Sequence, residues 1–177
     1  MGRDKALLPL PGGRRTLGQS VAGIVASAAG SAALVGDPER YCSLGYPVVP
    51  DRYPGEGPLG GILTALAHTS ADWNLITACD MPGLNAGFLR ELLAAAAAGN
   101  ADILLPFGPS GQPEVLCAVY RKRAMTALEA AFRAGIRKVA LAAAAPSSLR
   151  TVPFHVAEVS VFQNVNTPEE WAAHGAE

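Results

Sequence analysis

The chain has 177 residues, a mass of 18.2 kDa, half its residues hydrophobic and 16% charged. That length fits one domain with a core able to stand without disulfides or a structural metal, and that composition excludes a disordered chain. Fourteen Lys and Arg against fifteen Asp and Glu leave a net charge of -1, which excludes a broad electropositive face for nucleic acid.

The three cysteines, Cys42, Cys79 and Cys117, are odd in number and form no C-x-x-C pair. They read as reduced thiols of a cytoplasmic protein. No apolar run reaches the roughly 18–20 residues that span a bilayer, and the charged opening Met1-Gly2-Arg3-Asp4-Lys5 leads into no signal-peptide core. No membrane partner is expected.

In chain order, the chain opens on what reads as a loop and not a strand. Leu17, Val21, Ile24, Val25 and Ala28 recur at helical spacing and predict an amphipathic helix over 17–29, ended by Gly30-Ser31. Short apolar runs at 32–35 and 47–50 predict strands. A Gly/Pro-rich loop follows over 51–58, then a helix carrying Leu59, Ile62, Leu63 and Leu66. Residues 73–78 predict a central strand, stopped at Cys79-Asp80-Met81-Pro82-Gly83.

Asn85 is a plausible cap for a helix over 86–98. Strands are predicted over 101–105 and 114–120, helices over 123–134 and about 138–144, and one or two extended pieces over 150–161. Thr167-Pro168-Glu169-Glu170 has the form of a capping box opening a last helix. The alternation predicts a single α/β domain over the whole chain, with a mostly parallel sheet and no repeat.

Ligands of such sheets bind beyond the carboxyl ends of the strands, so polar residues just after each strand are the candidates. Asp80 follows the 73–78 strand. Its carboxylate suits Mg²⁺ held jointly with substrate phosphates, and equally suits a turn before Met81-Pro82. Asp51 opens the loop leading to Gly57-Pro58-Leu59-Gly60-Gly61, where glycines at a helix mouth admit polar or anionic groups. An ordinary surface loop would also look like this. Lys5, in R-D-K-A-L-L, is either a phosphate-seeking cation or a solvated surface lysine. The three histidines lack metal-ligand spacing. No G-x-S-x-G, G-x-x-x-x-G-K-[ST] or G-x-G-x-x-G motif occurs.

Taken together, these pieces resemble the molybdenum cofactor guanylyltransferases, nucleotidyltransferases with a Rossmann-like three-layer α/β fold. Their opening signature L-A-G-G-x-S-x-R-M-G-x-D-K is matched in its last part by Met1-Gly2-Arg3-Asp4-Lys5. Their D-x-x-x-G-P-L-x-G-I element is echoed by Asp51 and Gly57-Pro58-Leu59-Gly60-Gly61-Ile62. C-D-M-P stands at Cys79 to Pro82, Q-P at Gln112-Pro113, and N-V-N-T-P-E-E at Asn164 to Glu170. The matches follow the family order over almost the whole chain.

The resemblance implies transfer of GMP from GTP to the molybdopterin cofactor, with release of pyrophosphate and with Mg²⁺ as metal. It implies Lys5 on the GTP phosphates and Asp51 on the nucleotide. It also implies Gly57, Pro58, Leu59 and Gly60 in the nucleotide loop, Asp80 as metal and phosphate anchor, and Asn164 and Asn166 near the pterin. A molybdoenzyme or cofactor-insertion protein is a further expected partner. A cytidylyl- or sugar-phosphate nucleotidyltransferase, or a nucleotide-binding module without chemistry, remain open alternatives.

Two departures stand out. The family's opening strand and the L-A-G-G-x-S-x-R half of its phosphate loop are missing, so the resemblance implies that they lie upstream of Met1. Gly36 stands where some relatives carry a nucleotide-contacting Asn.

Overall fold

A computed structural model describes residues 4–10, 13, 15–108, 111–145, 148–156 and 160–162. Six helices and six strands are described: α1 (Leu17–Ala29), β1 (Leu34–Val35), α2 (Pro38–Tyr41), β2 (Val48–Val49), α3 (Pro58–His68), β3 (Trp73–Thr77), α4 (Ala86–Ala98), β4 (Ile103–Phe107), β5 (Cys117–Arg121), α5 (Ala124–Arg133), α6 (Val139–Ala144) and β6 (Thr151–His155). Among the described residues no helix is long and apolar enough to cross a membrane.

Local chemistry accounts for the helix ends. Thr16 and Gln19 form a reciprocal capping box on α1, and left-handed Gly30 ends it. Asn85 caps α4 through the Phe88 N–H. At the far end of α3, the Lys122 ammonium donates to the carbonyls of Leu66 and Thr69, two groups that no helical N–H can reach. The opening segment, expected as a loop, is a 3-10 turn over Lys5–Leu7, because Asp4 caps it by accepting from the Ala6 N–H. Its Ala6 is buried against α1 at Gly18, where a Cβ would stand 2.9 Å from the Ala6 carbonyl oxygen.

The larger sheet has the order β3-β5-β4-β6. β4 and β6 are parallel, and β5 runs against both β3 and β4. Three of its four strands therefore share one direction, and β1 pairs β2 in parallel in a separate two-stranded piece. In the larger sheet two strand starts differ clearly from the sequence expectation. β5 begins at Cys117 because residues 114–117 form a turn closed by the Cys117 N–H on the Glu114 carbonyl. β4 begins at Ile103 because Asp102 is occupied in tying strand ends together. The 150–161 region gives β6 and then a 3-10 turn over Ser160–Phe162. The helix expected from Thr167 lies outside the described residues.

Strand alternation sorts the core into two faces. Ile76, Ile103, Leu105, Ala118 and Tyr120 pack with α3, α5 and α6. Leu75, Leu104, Cys117 and Val119 pack on the opposite face, where α1 and α4 lie. The result is the expected three-layer α/β sandwich.

Between β1 and β3 the sheet is interrupted. Leu34 and Gly36 give their N–H groups to β2 and its flank, so by the alternation of a ladder the peptide groups of Val35 face away from β2. Ala78 donates to Leu116, which likewise turns the backbone of Leu75 and Thr77 away from β5. Both open edges border a cavity of about 300 Å³. Val21, Ala22 and Val25 of α1 line it from one side, and Gly61, Ile62 and Ala65 of α3 from the other. The slot thus lies between two open strand edges and two helix faces.

Candidate functional site

The site is assembled at the carboxyl end of the sheet. β3 ends at Thr77, and Asp80 follows three residues later. The Lys5 ammonium donates to Asp80 Oδ2 at 2.8 Å, a contact spanning 75 positions of sequence. Both side chains are only partly exposed, Lys5 by 27% and Asp80 by 20%. Among the described residues, Asp80 Oδ1 takes no hydrogen bond. A cation and a carboxylate from distant parts of the chain thus meet next to Ala6 and Cys79, which line the slot, with one oxygen left to bind.

Asp4 sits beside this pair. Its Oδ1 accepts from the Ala6 N–H at 3.0 Å and its Oδ2 from the Tyr41 hydroxyl at 2.6 Å, with Arg40 Nη1 at 3.4 Å. Burial, with the negative charges of Asp80 and Asp4 adding to it, pushes the neighbouring Cys79 thiol up to about 11. A thiol so raised stays protonated near neutral pH and is a weak nucleophile.

Asp51 lies past the end of β2, and its Oδ1 accepts from the Tyr53 N–H at 3.0 Å and lies 2.9 Å from the Thr64 hydroxyl. Thr64 in turn accepts from the Arg52 N–H. Asp51 therefore fastens its loop onto α3, and no hydrogen bond joins it to Lys5 or Asp80. Gly57, with φ +81°, is the N-cap of α3 and lets the chain turn into it. Pro58 occupies the first helical turn, which needs no N–H donor there. The Leu59 side chain is wholly buried, so it anchors the loop to the core and only its backbone could face a ligand. The Gly60 Cα lies against Tyr53, where a Cβ would stand 2.8 Å from the Tyr53 Cβ. Asn164 and Asn166 fall outside the described residues.

A divalent cation fits this donor set in one mode. Among the described residues no three His, Cys, Asp or Glu side chains converge as a metal cage. Asp80 alone offers an oxygen, and that suits a hard cation that takes most of its ligands from water and phosphate.

The MobA-like NTP transferase domain model matches residues 1–148. The chain belongs to this family. Among curated members, the probable molybdenum cofactor guanylyltransferase of Deinococcus radiodurans is 34% identical over 171 residues, covering 97% of this chain and 85% of that protein. Its counterpart in Mycobacterium tuberculosis is also 34% identical, over 94% and 83% of the two chains. The crystal structure of molybdopterin-guanine dinucleotide biosynthesis protein A from Archaeoglobus fulgidus superposes with a TM-score of 0.79 at 26% identity, covering 98% of this chain and 90% of that one. CMP:2-keto-3-deoxy-manno-octonic acid synthetase, complexed with CTP, shares the fold with a TM-score of 0.75 at 14% identity. As a MobA-like domain, the chain is a nucleotidyltransferase.

Sequence reasoning singled out Lys5 and Asp80 separately, and the structure brings them together. It missed Asp4, Arg40 and Tyr41. Asp4 had one signal, its place as a capping carboxylate immediately before Lys5. Tyr41 had none, because its partner lies 37 positions away.

Proposed function

We propose that this MobA-like domain transfers GMP from GTP to the molybdopterin form of the molybdenum cofactor. A phosphate oxygen of the pterin attacks the α-phosphorus of GTP. A new P–O–P bond forms as the bond to the β-phosphate breaks, and pyrophosphate leaves. The nucleophile is already an anion, so no general base is required. The protein's work is to bring two anions together in line and to neutralise the charge on the leaving pyrophosphate.

The observation that supports this reading is the Lys5–Asp80 pair, 2.8 Å apart at the carboxyl end of β3. Lys5 supplies a point charge to the triphosphate. Asp80 offers its unbonded oxygen to Mg²⁺, and when bound the metal supplies charge neutralisation on the phosphates. On substrate binding Lys5 would serve the phosphates, and Asp80 would hold the metal. The backbone of Gly57 to Gly60, at the amino end of α3, lies in the loop assigned to the nucleotide, with Asp51 holding that loop to the helix. Asn164 and Asn166 are assigned to the pterin end.

The test is pyrophosphate release from GTP, CTP, ATP and UTP with molybdopterin cofactor and Mg²⁺. Release with GTP, dependent on both cofactor and metal, is the expected result. Release with CTP in preference would make the chain a cytidylyltransferase. Tight GTP binding without release would make it a binding module.

A further inference from the structure

Resting on the reading of Lys5 as the cation of the triphosphate, we propose that Tyr41 is a positioning residue that holds Lys5 in place through the Asp4 carboxylate. Lys5 stands in a 3-10 turn of only three residues. Such a turn has almost no stability of its own, since its few hydrogen bonds do not offset the ordering of its backbone. The lysine side chain adds four rotatable bonds. The ammonium can therefore be delivered to one point only if the turn beneath it is tethered from outside.

Among the described residues, Ala6 and Asp4 both tether the turn itself, beside the Leu17 N–H that bonds the Leu8 carbonyl after it. Ala6 is seated against Gly18 of α1. The two oxygens of Asp4 are engaged by different elements. Oδ1 caps the turn at the Ala6 N–H, and Oδ2 receives the Tyr41 hydroxyl from the end of α2. At 2.6 Å this is a short, charge-assisted hydrogen bond, of the stronger kind. Arg40, from the same helix, adds its charge at 3.4 Å. Burial, and then the Asp4 hydrogen bond and charge, raise the Tyr41 phenol above its ordinary value, so it stays a donor at neutral pH.

The tyrosine ring is itself fixed. It presses on Gly36 at the exit of β1, where a Cβ would stand 2.5 Å from Tyr41 Cε2. The Asp37 side chain caps α2, and Pro38 opens it. A rigid path thus runs from the end of β1 through α2, Tyr41 and Asp4 to the backbone of Lys5, and from its ammonium to Asp80 at the end of β3. Gly36 also acquires a reason. Where some relatives are expected to reach the nucleotide with an asparagine, this chain leaves room for a ring that acts on the phosphate-binding lysine.

Tyr41→Phe keeps the ring against Gly36 and removes only the hydroxyl. The first readout needs no nucleotide. Lysines are acylated with acetic anhydride and their rates read by mass spectrometry, with exposed Lys138 as internal reference. Lys5 is expected to react several-fold faster in Tyr41→Phe, with Lys138 unchanged and the melting temperature lowered by only a few degrees, the effect of one lost hydrogen bond. The second readout is GTP affinity with Mg²⁺ by calorimetry, expected to weaken about tenfold, the effect of losing one hydrogen bond to a charged group. In a Lys5→Ala background the same substitution is expected to add less than about twofold, because a residue acting through Lys5 has nothing left to act on.

Unchanged Lys5 reactivity overturns the proposal. So does a full effect of Tyr41→Phe in the Lys5→Ala background, which is what general loosening of the fold would give. A freed Lys5 with unaltered GTP affinity leaves Tyr41 as its positioning residue and instead overturns the triphosphate role of Lys5. Should Tyr41→Phe fail to fold, Asp4→Asn carries the same measurements, since it retains a capping oxygen and loses the charge that grips the hydroxyl.

Discussion

Asp80 and Lys5 hold one another at 2.8 Å, and the proposed reaction asks each to let go in favour of a substrate-borne charge. Removing either has a different expected signature. On the role proposed for it, Asp80→Ala withdraws the oxygen that would orient metal and α-phosphate in the transition state. kcat is therefore expected to fall about 10²–10³-fold, the range seen when one preorganised electrostatic group is deleted. If Lys5 serves the triphosphate as proposed, Lys5→Ala removes charge felt by the bound nucleotide as well as by the leaving group, so KM for GTP is expected to rise about tenfold together with a smaller fall in kcat. Steady-state pyrophosphate release checks both. Near-normal kcat in Asp80→Ala would count against its anchoring role. Both residues were legible because each sits in a short, ordered motif at a strand or chain terminus. The Asp4–Tyr41 contact was not, since a carboxylate–phenol pair between a three-residue turn and a four-residue helix leaves no periodicity or spacing to read.

Among the secondary-structure elements, legibility followed length and caps. α1 falls on the residues its apolar spacing and Gly30 stop predict, and α4 on those its spacing and Asn85 cap predict, because thirteen residues give more than three turns of pattern. The two-residue strands β1 and β2 are shorter than their apolar runs, since only the stretch that finds a partner forms a ladder. The reversal of β5 was not readable at all. Alternation places side chains on faces, and it is the same for either strand direction.

What fixes the start of β4 is a single buried carboxylate. Asp102, its side chain 7% exposed, accepts from the Arg150 N–H at 2.9 Å and from the Arg123 guanidinium, so it joins the entrances of β4 and β6 to the exit of β5. Burial works to raise its pKa, but the Arg150 N–H and the Arg123 guanidinium, aided by Arg121, outweigh this and hold the carboxyl below its ordinary value near 3.8. A folded pKa lowered in this way contributes stability that is present above the ordinary value and lost as pH falls through the folded one. Asp102→Asn is therefore expected to melt lower than the unaltered protein at pH 7, by an amount on the order of 1–3 kcal/mol for an impaired buried hydrogen-bond pair. The difference should shrink below pH 4 as the native carboxyl takes up its proton. Paired thermal melts at pH 7 and pH 3 decide it, and a gap that does not narrow on acidification assigns the loss to packing instead of charge.

On the scale of the whole molecule, the unusual feature is the slot between β1 and β3. Two open strand edges and two apolar helix faces border a space of about 300 Å³. Cavities of this kind cost stability, because their walls lose dispersion contacts and the buried peptide groups at their edges lose partners. An extended apolar segment would correct both faults at once. Its backbone would bond to the outward peptide groups of Val35, Leu75 and Thr77, and its side chains would alternate between α1 and α3. Two branched residues so buried contribute about 3–6 kcal/mol, less the entropy of ordering the added segment at about 1–2 kcal/mol per residue for its backbone, offset in turn by the ladder hydrogen bonds. A net gain on the order of 2 kcal/mol corresponds to roughly 4–8 °C in a domain of this size. The measurement is a thermal melt of the chain carrying, ahead of its opening turn, a glycine-rich turn preceded by five apolar β-branched residues. Its control carries the same length of serine and glycine. A rise with the apolar segment alone, together with amide protection of Leu75 and Thr77 in hydrogen exchange, is the expected outcome. The two observations belong together, since a non-specific hydrophobic effect would raise the melting temperature without protecting those particular amides. Equal melting temperatures would mean that the two sheet pieces are content apart, and that the cavity serves as a pocket and not as the seat of a strand.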